Sequence, residues 1–199
     1  MSARTGLSQL IDVLRGMVNA STADYTVGTA AFWDGDQMQA VLDRHRRDVF
    51  KEELYPLDTW VSSGSVAYYD YYSSFGNYEQ TTGGTAVWWI EDGTGADVGT
   101  ALFTVDYMRG HITFSADTAG SVYYLTGRSY DLNAAAAEIW DMKASHYAVS
   151  AIDWSSDNHS VRNSQMVSQC EKMAARYLAK ALPARTILTR GDIDVNALD

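Results

Sequence analysis

Apolar residues recur at helical spacing near both ends of this chain and alternate with polar ones through its middle. Leu7, Leu10, Ile11, Leu14, Met17 and Val18 fall on one stripe and predict a first helix over 7–18. Thr5 or Ser8 would cap it, and Asn19 with Ser21 would end it. Residues 22–31 are small and polar and read as a loop. Asp34-Gly35-Asp36 then caps a second predicted helix over 37–50, whose buried face carries Met38, Val41, Leu42, His45 and Val49. A third helix is predicted from 131 or 132 to 150, with Asp131 as cap. Its stripe is Leu132, Ala136, Ile139, Trp140, Lys143 and Tyr147, flanked by Ala135. The run Ala134, Ala135, Ala136 and Ala137 favours helix and lets another backbone approach closely. A fourth helix runs from 161 or 164 to 182, with Val167, Cys170, Met173, Ala174, Tyr177, Leu178 and Ala181 inward, and Pro183 stops it.

Between the second and third helices the pattern shortens to a period of two. Fourteen of the 24 aromatic residues lie in 56–128, in short runs rich in Tyr, Trp, Val and Thr that Gly clusters interrupt. That composition predicts an antiparallel β module. Its strands are expected near 58–61, 65–72, 85–91, 100–108, 111–114 and 121–125. Turns are expected at Gly83-Gly84, Asp92-Gly93-Thr94-Gly95, Arg109-Gly110 and Ala119-Gly120, Gly110 supplying a positive φ in a tight hairpin. After Pro183 the chain alternates again, in Thr186-Ile187-Leu188-Thr189 and Asp192-Ile193-Asp194-Val195. It is too short to fold alone and reads as an extended arm that orders on a partner. The fold class expected is α+β. A small antiparallel bundle of about four helices (1–55 and 129–182) is interrupted by the β module (56–128) and followed by the arm (183–199).

Composition adds constraints rather than a motif. The net charge is −10, and residues 56–128 carry eight acidic and two basic side chains, so most of the excess sits on the β module. A protein that grips phosphates usually presents a basic face, so sequence-independent nucleic-acid binding is disfavoured. No apolar run approaches transmembrane length and no secretory leader is evident, which predicts a product made in a cytoplasm and no membrane partner. The single cysteine, Cys170, reads as a small core hydrophobe. His45, His111, His146 and His159 are scattered without the close spacing of a metal site, and no cofactor is expected. Asp34 and Asp36 lack the downstream ligands of a calcium loop. The pairs Glu91-Asp92 and Asp70 with Glu79 could in principle do acid–base work, but solvated surface carboxylates are the stronger reading. GxSxG, GxGxxG and the Walker phosphate loop are absent. Asp157-Asn158-His159 reads as a turn and cap before the fourth helix. Tyr68-Tyr69, Tyr71-Tyr72 and Trp88-Trp89 put aromatics on both faces of their strands. One face would fill the core and the other could serve packing or a glycan platform.

The order of features in the second half is similar to that of tailed-phage head–tail adaptor (connector) proteins, which also occur in gene transfer agents. The residues concerned are Tyr130-Asp131-Leu132, the four alanines with Trp140, the Asp153-Trp154 turn, and Ser164-Gln165 at the start of the last helix. Trp33-Asp34 through Leu42-Asp43 also resembles the family's first helix start. The family's arginine before Ser-Gln is replaced by Asn163, with Arg162 one place earlier. The likeness spans roughly 30–50 and 110–182.

The resemblance implies a non-enzymatic virion protein of the neck. It would form a ring, expected to be dodecameric, beneath the portal protein, extend the DNA channel without specific DNA binding, and offer a docking surface to a tail-side neck or tail-terminator protein. Trp140, Tyr147 and Tyr177 would pack subunits, and Ile187, Leu188, Ile193 and Val195 on the arm would dock the portal. The acidic charge would discourage DNA from sticking in the channel. The rival expectation is a glycan- or receptor-binding β module on a helical anchor. A tail-completion or terminator protein fits less well, because those usually lead with β structure.

Overall fold

The computed structural model describes residues 3–20, 25–27, 30–61, 64–82, 86–149, 154–156, 159–161 and 163–182. It is an α+β fold with four α-helices and small antiparallel sheets among these residues. α1 (Ser8–Val18) follows a 3-10 turn at Thr5–Leu7 and has no side-chain cap, contrary to the expectation for Thr5 or Ser8. Asn19 ends it in the left-handed conformation, as expected. Two short strands, β1 (Thr26–Val27) and β2 (Ala30–Ala31), pair with each other within the segment read as a loop. α2 (Gly35–Arg44) starts in a capping box: Asp34 accepts from the Gln37 backbone while Gln37 returns to the Asp34 N–H.

The predicted second helix does not reach residue 50. It stops at Arg44, and β3 (Arg46–Glu53) follows at once, so Val49 is buried from a strand in the β core. β4 (Tyr55–Trp60) continues the same run after buried Leu54. β5 (Val66–Tyr72), β6 (Trp88–Asp92), β7 (Phe103–Asp106), β8 (His111–Phe114) and β9 (Tyr123–Tyr130) complete two sheets. One has the order β3-β9-β6 and the other β4-β5-β8-β7, all antiparallel. Strand pairing therefore reaches beyond 56–128 on both sides, at β3 and at Ser129 and Tyr130. α3 (Leu132–Val149) follows β9 directly. A hairpin of β10 (Trp154–Ser156) and β11 (His159–Val161) stands where a polar turn was expected, so His159 lies in a strand and not in a cap of α4 (Asn163–Leu178).

Two cores result. Leu7, Leu10, Ile11, Leu14, Met38, Leu42, Leu132, Ala135, Ala136 and Ile139 fill the helical one, where the alanines let α3 lie close to α1 and α2. Val49, Trp88, Ile90 and Leu125 of one sheet meet Tyr71, Phe103, Ile112 and Phe114 of the other to form the second. The β7–β8 connection turns at Gly110, with φ +65°, as expected. A Cβ there would stand 2.1 Å from the Phe75 carbonyl oxygen. Gly110→Ala is expected to cost about 2 kcal/mol or more, since both the backbone conformation and the close approach oppose a side chain. Gly99→Ala, which meets open space, should change the thermal midpoint little.

An ion-pair network ties the two cores together. Arg4 reaches Asp43 of α2 with both terminal nitrogens (2.6 and 3.0 Å) and Glu79 with Nε (2.8 Å). The Tyr130 hydroxyl donates to Glu79 Oε2 (2.7 Å), and Arg128 stands 3.6 Å from that oxygen. The Asp43 hydrogen bond above all, and then Glu79, hold Arg4 charged, while burial and then Glu79 push the Tyr130 phenol up. A second link joins α2 to α3, where Glu138 accepts from Arg44 Nε (2.8 Å) and meets His45 Nε2 (2.6 Å). Burial pushes the Glu138 carboxyl up, but the hydrogen bonds from Arg44 and His45 outweigh it and hold it below the usual glutamate range. A lowered carboxyl stabilises the fold above the ordinary value of about 4.3 and ceases to do so as pH falls through the lowered one. The urea midpoint should therefore drop between pH 6 and pH 3, and Glu138→Gln should flatten part of that drop.

Candidate assembly surface

The α3/α4 hairpin carries most of the residues that the resemblance singles out. Asp131 caps α3, its Oδ1 accepting the Asn133 and Ala134 N–H groups at 3.0 Å. Its Oδ2 accepts the Leu182 N–H at 2.7 Å, so the chain leaving α4 returns to the start of α3 and the hairpin is antiparallel. Trp140 Nε1 donates to the Met17 carbonyl (3.2 Å) and Lys143 Nζ to the Val18 carbonyl (2.6 Å). The Lys143 ammonium also lies 4.8 Å from the Trp140 ring centroid. These two side chains satisfy the last carbonyls of α1, where a cation also suits the helix dipole. Lys143 is thus buried for a local reason. Tyr147 is half-buried, its ring 6.2 Å from that of Tyr25, and Tyr177 packs at the margin of the helical core.

α4 is thinly covered. Cys170 is its one fully buried residue among the described side chains, as expected of it. Met166, Leu178 and Leu182 stand exposed, as do Met142 and Val149 on α3. Leu178, expected inward, is 65% exposed. A cavity of about 200 Å³ opens between the helices, lined by Trp140, Lys143, Tyr147, Met166, Gln169 and Cys170, with Asn19 at its edge. Trp140 and Tyr147 therefore share one site, with Tyr177 farther along α4. Ser164 and Gln165 are exposed in the first turn of α4. Asp153, the Trp154 side chain, and Ile187, Leu188, Ile193 and Val195 of the arm lie outside the described residues.

The carboxylate pairs separate. Glu79, expected to be solvated, is 2% exposed inside the Arg4 network, whereas Asp70 meets His111 on the outer face of the four-stranded sheet. Glu91 pairs with Lys51 (3.1 Å). Asp92 folds its own turn by accepting from Thr94 and Ala96, bonds that hold its carboxyl low, the Thr94 hydroxyl most of all. The aromatic pairs divide between faces. Tyr71 and Trp88 are buried in the β core, while Tyr72 is exposed and Trp89 half-buried. The exposed aromatics of the described sheet residues are Phe50, Tyr55, Trp60 and Tyr72. The pattern of the sequence singled out neither Arg4 nor Tyr55. Arg4 meets Glu79 across 75 positions, a pairing that no local pattern signals. Comparison with protein families, with curated proteins and with solved structures finds no match.

Proposed function

We propose that this chain is a head–tail adaptor subunit, a non-enzymatic structural protein that forms a ring beneath a phage portal. The observation that carries the reading is α4. In a chain with two well-filled cores, this helix buries a single described side chain and leaves Met166 and Leu178 open, with Leu182 exposed just past its end; Met142 and Val149 of α3 are exposed as well. Exposed apolar residues on a helical hairpin suit burial against a neighbouring subunit. The wording of the hairpin supplies the family, and the segment after Leu182 supplies the portal arm through Ile187, Leu188, Ile193 and Val195. The acidic balance fits a channel through which DNA passes without adhering. The ring is expected to be dodecameric and to dock a tail-side neck or tail-terminator protein below.

Imaging of the purified protein with and without portal tests the reading. A twelvefold ring on the portal is expected. It should be lost on Leu178→Asp without loss of the monomer's fold, and deletion of 184–199 should abolish portal binding. Portal binding that survives the deletion would remove the arm from the mechanism, and no ring on any portal would remove the adaptor reading.

A further inference from the structure

We propose that the outer face of the four-stranded sheet binds an arginine-bearing extended segment of a partner protein. Strand register defines the face. Tyr55, Tyr72, His111 and Asp106 lie opposite one another across the four strands, and so do Leu57, Asp70, Thr113 and Thr104. Directly opposed residues share a face, and the residues alternating with them (Tyr71, Ile112, Phe114 and Phe103) are buried in the β core. The first row is two phenol rings, an imidazole and a carboxylate. The second is a leucine, a carboxylate and two hydroxyls.

The polar groups in these rows are held in place. The Tyr72 ring stacks on His111 with centroids 4.4 Å apart and planes within 9°. Asp70 Oδ1 meets both His111 Nε2 (2.8 Å) and the Thr113 hydroxyl (2.7 Å), which leaves Oδ2 without a hydrogen-bond partner among the described residues. Beside this fixed carboxylate, Tyr55 and Leu57 are 60% and 47% exposed. A planar guanidinium suits both surfaces. It stacks on a phenol ring and donates to an open carboxylate oxygen.

Charge and edge geometry select the partner. The segment 56–128 carries eight acidic and two basic residues, and Arg109, the basic side chain adjoining the face, stands 3.7 Å from Asp106. Such a surface repels nucleic acid and anionic glycans and attracts a basic chain. β4 pairs with β5 on one side only among the described residues, and all six of its residues are exposed. An incoming strand can add to that free edge by main-chain hydrogen bonds. A residue of that strand opposite Leu57 would sit roughly 10 Å from Asp70, two strand spacings away. An extended arginine spans that gap by lying across Leu57.

The probe is a fluorescent nonapeptide alternating Arg with Val, compared with Glu/Val and Ser/Val peptides and a neutral maltohexaose, read by anisotropy on the full chain. The Arg peptide should bind and the others should not. Asp70→Asn and Tyr72→Ala should each weaken binding about tenfold, equivalent to about 1.4 kcal/mol. Asp12→Asn, which removes the same charge from the exposed face of α1, should change it less than about twofold by the same measure. Tyr55→Ala, at an exposed position, gives the same test if an Asp70 or Tyr72 variant misfolds, and it too should weaken binding. Equal weakening by Asp12→Asn would reduce the effect to bulk attraction and overturn the proposal. So would failure of the Arg peptide to bind, or maltohexaose binding that depends on Tyr72.

Discussion

Replacing Arg4 with Met is expected to destabilise the protein by about 3 kcal/mol, at the low end of the cost of stranding a buried carboxylate. Glu79 is almost wholly enclosed and takes its shortest charged contact from Arg4. Without that guanidinium, Glu79 keeps the Tyr130 hydroxyl and Arg128 at 3.6 Å, which is why the loss is not larger. Asp43, at the surface, simply rehydrates. For a chain of this length the thermal midpoint should fall by about 10 °C. Coupling Arg4→Met with Glu79→Gln should recover more than half of the loss, because the second change removes the stranded charge. A single-variant loss below about 1 kcal/mol would mean that the network is surface decoration of the kind exposed ion pairs provide.

Trp88→Ala is expected to cost about 3–5 kcal/mol, the range for removing a large aromatic from a packed core. The indole is enclosed by Phe103 and Tyr107, with ring centroids at 5.9 and 5.3 Å, and Gly127 on β9 makes room for it. A Cβ at Gly127 would stand 2.8 Å from the Trp88 ring. Trp60→Ala, by contrast, removes a side chain that is 74% exposed and should shift stability by less than about 0.5 kcal/mol. Urea denaturation of the two variants measures the difference directly. Any ligand binding lost with Trp88→Ala would report a collapsed core, so a search for a binding face should start from Tyr55 and Tyr72. If Trp88→Ala left the urea midpoint unchanged, the sheets would not be packed as described.

The parts of the fold that were legible in the sequence are those decided locally. Asp34, Asp131, Asn19 and Gly110 each occupy the expected cap or turn, because a side-chain oxygen three residues from an amide, or a positive φ, is a property of a few neighbours. The end of α2 was not legible. Met38, Val41, Leu42, His45 and Val49 keep helical spacing to the last, and what turns Arg46–Glu53 into a strand is its pairing with β9, some 75 residues away. The same holds for Glu79, a carboxylate that looks solvated until Arg4 and Tyr130 arrive from distant parts of the chain. On α4 the periodicity is real, yet a sequence stripe cannot say whether its apolar side meets the same molecule or another. Leu178 lies on the stripe and still faces water in the single chain.

The hydrogen bond from Leu182 to Asp131 also has a mechanical meaning. Asp131 is where β9, α2 and α3 converge, since its N–H donates to the His45 carbonyl and its carboxylate caps α3. A pull on the chain beyond Leu182 is received first at this junction, before any turn of α4 has to unwind. The end of the thinly covered helix is thereby tied to the point from which the β3–β9 ladder begins.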